Sequence, residues 1–234
     1  MFEPPFSYFN SMKKCIGTVI LLGALLPALT ACGEYDYTAH ISEERSDLFC
    51  AQTDEFSLTL SCVLREYPYV SDGVPCDMTK SVEITLTDAQ GAKDYSVYLL
   101  GGEKEIGGEM SFRNVRGDYY YSQGVEVFPE ASVTLRVEWG EESREITATS
   151  VKNEKTLTTK QALSSALAAE QETLKGMTDK NGFYGEFYVR LLRRDKNYYY
   201  VGIIDKTGAT VSILLDSESG EVLARRVTDS GKIR

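Results

Sequence analysis

Between residues 53 and 151 apolar and polar positions alternate. Phe56, Leu58, Leu60 and Cys62 interleave with Ser57, Thr59 and Ser61, and Val82, Ile84 and Leu86 interleave with Glu83, Thr85 and Thr87. The same period returns at Tyr95, Val97 and Leu99 and at Val133, Leu135, Val137 and Trp139. A period of two puts successive side chains on opposite faces, so each run predicts a strand with one buried and one solvated face, as antiparallel sheets have. Turn-forming stretches divide the runs: SDG at 71–73, DAQG at 88–91, GGEKEIGG at 101–108, RGD at 116–118 and GEES at 140–143. Turns at such short intervals, with no helix-length amphipathic run among them, predict an antiparallel β-sandwich of about seven strands.

The period changes after residue 151. VKNEKT is polar and reads as a short linker, and Thr158 stands three before Gln161, a capping box at a helix start. The following Ala- and Leu-rich run to about Lys175 places Leu163, Ala166, Leu167, Leu174 and Met177 on one stripe, interrupted by Glu170. Gly176 can stop this helix. Strand-like runs follow at 184–194, 198–205, 210–216 and 221–227, with DKN and DKTG as hairpin separators. One helix laid across a small antiparallel sheet is the economical arrangement.

The N-terminal segment has another character. Lys13 and Lys14 precede the uncharged apolar run CIGTVILLGALLPAL at 15–29, which ends in Leu29-Thr30-Ala31-Cys32. The run falls short of the roughly 20 apolar residues of a spanning helix and has signal-peptide length. Lysines, apolar run, small residues and cysteine, in that order, resemble the lipobox of bacterial lipoproteins. The resemblance implies cleavage before Cys32, acylation of that cysteine and attachment to the extracytoplasmic face of a bacterial membrane. Glu3, Pro4 and Pro5 do not suit the start of a signal, which points to initiation at Met12. The expected organisation is a signal peptide at 1–31, lipidated Cys32 with a polar tether to residue 52, a β-sandwich at 53–151 and an α+β unit at 156–234. His40 falls in the expected tether, where it would be solvated.

The alanine-rich helix, YYYVGIIDKTGATVSILLD and the turn from Asp216 through Gly220 to Glu221, Val222 and Leu223 resemble the PepSY family. In that turn Gly220 permits positive φ and Asp216 can accept bonds from nearby backbone N–H groups. The resemblance covers about 70 of the 234 residues and implies a role in restraining or guiding peptidases, or in envelope sensing. It brings no catalytic residues. The sandwich resembles immunoglobulin-like domains in architecture alone, because it lacks their Cys…Trp…Cys framework.

Composition narrows the chemistry. With 25 Lys+Arg against 35 Asp+Glu the net charge is −10, which argues against nucleic acid as a partner. Removal of 31 residues that include Glu3, Lys13 and Lys14 would leave 203 residues at −11, so lipid and not charge would hold the chain to an anionic surface. Single His40 disfavours histidine-dependent catalysis, and no nucleophile, phosphate-loop or zinc-protease motif stands in the mature chain. No cofactor or metal is implied: Cys50, Cys62 and Cys76 lack zinc-site spacing. Outside the cytosol two of the three can pair, with Cys62–Cys76 preferred and Cys50–Cys62 the competitor. RGD at 116–118 reads as a tight turn rather than a recognition tripeptide. Tyr119, Tyr120 and Tyr121 alternate faces, so at least one should be exposed and could contribute to a binding surface. The functional expectation is a non-catalytic binding or regulatory lipoprotein. A peptidase modulator is the alternative, and a hydrolase using two carboxylates distant in sequence is the contrasting class.

Overall fold

The alternating runs form strands in the computed structural model, which describes residues 35–70, 72–88, 94–101 and 106–229. The apolar leader, Cys32 and parts of the turns expected at 71–73, 88–91 and 101–108 lie outside those residues. Tyr37–Arg234 group as one compact unit. Its strands are β1 (Ile41–Gln52), β2 (Phe56–Glu66), β3 (Met78–Asp88), β4 (Tyr95–Leu100), β5 (Ile106–Glu109), β6 (Ser111–Arg113), β7 (Asp118–Gly124), β8 (Ser132–Trp139) and β9 (Glu142–Ser150). Helices α1 (Thr159–Ala169) and α2 (Gln171–Gly176) follow, then a short hairpin of β10 (Thr178–Asp179) and β11 (Gly182–Phe183). Four longer strands end the chain: β12 (Glu186–Arg193), β13 (Asn197–Ile204), β14 (Thr210–Asp216) and β15 (Val222–Thr228). The fold is mostly β and its pairings are antiparallel, except that β12 lies parallel to β1.

The sheet branches at β1. One path runs β15-β14-β13-β12-β1-β2-β3-β7-β6, and β5-β4-β8-β9 joins through Phe49↔Ser150 and Cys50↔Thr149. The alternation explains what each branch buries. Phe49, Leu58, Leu60, Ile84 and Leu86 from the first path share a core with Tyr95, Val97, Leu135, Val137 and Trp139 from the second. Edge-to-face aromatic contacts knit it together, with Phe56–Trp139 centroids 5.7 Å apart and Tyr95–Tyr119 4.8 Å apart.

A second core forms where Ala162, Leu163, Ala166 and Leu174 of the helices meet Phe187, Val189, Tyr199, Val201, Ile203 and Ile213 of the sheet. The capping box at Thr158 and Gln161 is present. The single helix expected to Lys175 breaks at Glu170. That residue is buried and accepts bonds from Arg225 Nε at 2.5 Å and Thr173 Oγ1 at 2.5 Å. The Arg225 bond, ahead of the opposing effect of burial, holds its carboxyl below the ordinary range. The interruption in the apolar stripe is therefore the helix break, because a carboxylate drawn towards β15 satisfies its charge better there.

The expected tether is corrected from residue 37 onward. Tyr37–His40 form a 3-10 turn, and Ile41–Gln52 are β1, which joins the two cores. Hydropathy conceals this strand because ISEERSD is polar and its charges are buried by pairing with other charges. His40 is not a solvated tether residue. It packs edge-on against Phe183 at 5.1 Å, and burial lowers its imidazole pKa. The VKNEKT segment is docked as well: Val151 N–H donates to the Leu48 carbonyl at 2.9 Å, and Leu157 N–H donates to Ser217 at 2.8 Å.

Candidate functional site

β1 changes partners in mid-strand, and the most concentrated polar chemistry of the described residues lies at that change. It pairs with β12 from Ile41↔Phe187 to Arg45↔Arg190. An irregularity between Glu44 and Asp47 follows, after which β1 continues beside β2 and meets β9. On the face of β2 and β3 that points away from the first core, strand parity brings Arg65 and Glu83 into line with Glu43, Arg45 and Arg190.

These five side chains form one network. Glu43 has a side chain only 3% exposed and accepts from Arg45 Nε at 2.7 Å, Arg65 Nε at 2.7 Å and Arg190 Nε at 2.6 Å. Glu83 accepts from Arg45 Nη1 at 2.7 Å and Arg65 Nη2 at 3.2 Å. Burial by itself would raise the Glu43 carboxyl, but the charges and bonds of Arg45 and Arg190 outweigh it and hold the pKa at about 2. Glu43 is thus a fixed anion at neutral pH and not a proton donor. Aromatic rings border the network. Arg190 lies over Tyr188 at 4.6 Å and Tyr200 at 5.6 Å, while Arg113, paired with Asp118 at 2.7 Å, lies over Tyr120 at 4.4 Å.

Two clefts flank the partner change. A groove of about 500 Å³ follows the hairpin between β12 and β13, with Leu48, Leu192 and Leu214 as apolar lining and Arg45, Arg193 and Arg194 as basic groups. A second cleft, of about 670 Å³, is lined by Glu44, Asp47, Glu66, Lys152, Thr159 and Cys76, among others. Its charges are largely engaged: Thr159 Oγ1 donates to Glu44 at 2.5 Å, Lys152 pairs with Asp47 at 2.9 Å, and Glu66 accepts from Cys76 N–H at 3.1 Å. Among the described residues no three His, Cys, Asp or Glu side chains are grouped to hold a metal ion.

The residues expected to bind are distributed differently. Tyr119 is buried in the first core, and Tyr121 is half-buried against that core and bonded to Gln123. Tyr120 is half-buried on the opposite face beneath Arg113. None of the three is exposed, because the first core covers Tyr119 and Tyr121 on one face and Arg113 lies over Tyr120 on the other. RGD is a turn in which Gly117 N–H donates to the Arg113 carbonyl at 2.8 Å and Asp118 is held by Arg113.

Neither expected disulfide is formed, and Cys50, Cys62 and Cys76 are free thiols. Cys62 is buried in the first core and Cys50 packs against the second, so strand parity keeps these two sulfurs apart, and Cys76 is exposed beyond the strand ends. Burial, aided by the charge of Asp47, pushes the Cys62 thiol up to about 12. A thiol reagent applied to the unreduced mature protein in denaturant should modify Cys50, Cys62 and Cys76 alike. In the native state Cys76 should react first. Recovery of a single reactive thiol in denaturant would establish a bridge instead.

The ionic network is not legible in hydropathy, because two of its members, Glu43 and Arg45, lie in the polar segment ISEERSD. Their shared parity on either side of Glu44 was the available signal. Comparison of the chain with protein-family models, with curated proteins and with solved structures returns no match.

Proposed function

We propose that this chain is a bacterial lipoprotein anchored through Cys32 on the extracytoplasmic face of the membrane, with a binding or regulatory role and no catalytic chemistry. The observation that carries the reading is the ordered leader: Lys13-Lys14, the uncharged run at 15–29, then Leu29-Thr30-Ala31-Cys32. The character of the ionic network around Glu43 and Glu83 supports a role without acid–base catalysis. Its carboxylates are already saturated by guanidinium groups, whereas general acid–base work needs a group poised to gain or lose a proton. In this reading residues 53–151 correspond to an immunoglobulin-like sandwich and 156–234 to a PepSY-like unit, with β1 serving both. The placement of α1 and α2 on β12–β15 favours a second reading, modulation of an envelope peptidase.

The test is metabolic labelling with an alkyne analogue of palmitate in a bacterial host. The wild-type chain should be labelled and sediment with membranes, whereas Cys32→Ala should lose the label and leave the membrane fraction. An unlabelled wild-type chain would overturn the anchoring. For the second reading, the purified chain should change the rate of a co-isolated envelope peptidase.

A further inference from the structure

Where β12 and β1 part, β12 has an edge without a strand partner among the described residues. Leu191, Leu192 and Arg193 pair with Tyr199, Tyr198 and Asn197 of β13, while the pairing with β1 stops at Arg190. The groove of about 500 Å³ reaches this edge, with Thr59 and Ser61 on its β2 side, and extends over β13 and β14 to Tyr198 and Leu214. Its apolar lining comes from Leu48, Leu192 and Leu214, and its charge is basic although the chain carries −10. Among the described residues the Arg193 side chain bonds only to the neutral Asn197 amide at 3.0 Å, and Arg194 has no ion-pair partner. The acidic residue of the groove, Asp195, is occupied by the Tyr198 hydroxyl at 2.8 Å.

We infer that this groove takes an extended peptide segment bearing acidic side chains, which adds as a short strand to the free edge of β12 and sets its carboxylates against Arg193 and Arg194. Main-chain pairing supplies affinity, and alternate side chains select between the apolar floor and the basic rim. The three residues lack a partner on one side only, where alternate residues turn N–H and C=O outward, and at about 3.3 Å each they span a contact of three or four peptide residues. The inference rests on the binding role proposed above and names the class of partner.

The test uses the full lipoprotein in detergent micelles and fluorescence polarisation of a labelled heptapeptide that alternates valine with aspartate. Saturable binding is expected. Arg194→Glu, at an exposed position, should weaken it at least about tenfold, and Ser61→Phe, which fills the groove, should weaken it comparably. Methylation of alternate peptide nitrogens should abolish it, and Arg226→Ser on the terminal strand should leave it unchanged. Binding that survives methylation, or that inorganic phosphate displaces at equal charge concentration, would reduce the groove to a simple anion site and overturn the inference. So would sensitivity to Arg226→Ser in place of Arg194→Glu, or absence of saturable binding by folded protein. Palmitate labelling is independent of every one of these outcomes, so failure of the groove and failure of the anchoring are separable.

Discussion

Glu43→Gln is expected to destabilise the protein by about 3 kcal/mol at pH 7, because it removes the most buried member of the network, leaves Arg45 and Arg65 to share Glu83 and takes from Arg190 its carboxylate partner. Glutamine preserves size and can accept a bond, so the loss reports charge and not a cavity. The pH dependence provides a second reading of the same effect. Glu43 titrates near its ordinary 4.5 when unfolded and at about 2 when folded. Between those values the unfolded chain binds more protons, so acidification favours unfolding. The contribution is complete above about pH 5 and disappears as pH falls through about 2, with a span of at most about 3 kcal/mol. Urea unfolding of the wild type should therefore lose stability steeply from pH 5 to pH 2, and Glu43→Gln should flatten that limb. Glu138→Gln, which breaks the half-exposed Arg136–Glu138 pair, should cost less than about 1 kcal/mol. Equal costs for the two substitutions would show that the network contributes no more than a surface pair.

Phe187→Ala should cost about 3–5 kcal/mol and should melt both cores together. The Phe187 ring is fully buried, stacks on Phe183 at 5.2 Å and meets Tyr37 edge-on at 6.0 Å, so truncation removes apolar burial and leaves a cavity. Phe187 belongs to the second core, and Trp139, the chain's one tryptophan, belongs to the first. Each core depends on β1, since β2 pairs along both of its halves while β12 pairs with the first and β9 with the second. Loss of the second core strips β1 of its parallel partner and exposes Leu48. Trp139 fluorescence should accordingly report the lowered midpoint and coincide with far-ultraviolet circular dichroism. A Trp139 transition that stays at its wild-type midpoint, while ellipticity is lost earlier, would mean that the cores unfold independently.

Strands at Phe56–Glu66, Met78–Asp88, Tyr95–Leu100 and Ser132–Trp139 were legible because half of each is apolar at period two. The capping box at Thr158 was legible because it is purely local. β1 was not. Its first half buries Ser42 and Glu43, and besides neighbouring Arg45 the charge of Glu43 is compensated by arginines 22 and 147 residues away, Arg65 and Arg190. A short-range pattern contains no sign of partners so distant. The tyrosine run shows the opposite error: a strand with alternating faces was legible, but not that β6 would cover the edge and Arg113 the outer face. The cysteines fail for a related reason, since proximity in sequence does not reveal which side of a sheet each thiol occupies.

Periodicity alone thus determined that the chain is mostly antiparallel strand with one interrupted helical stretch, since alternation and stripes are consequences of local backbone geometry. The order of charge, apolar run, small residues and Cys32 likewise set the expectation of a lipid anchor. Tertiary structure decided that the segment read as a tether is the strand on which the sheet branches, and that its charges are shared across β12, β1, β2 and β3. It also decided where, among the described residues, β12 loses β1 as a neighbour. These features depend on pairing between segments far apart in the chain. Buried charge there is stabilised only by the other charges that the fold brings to it.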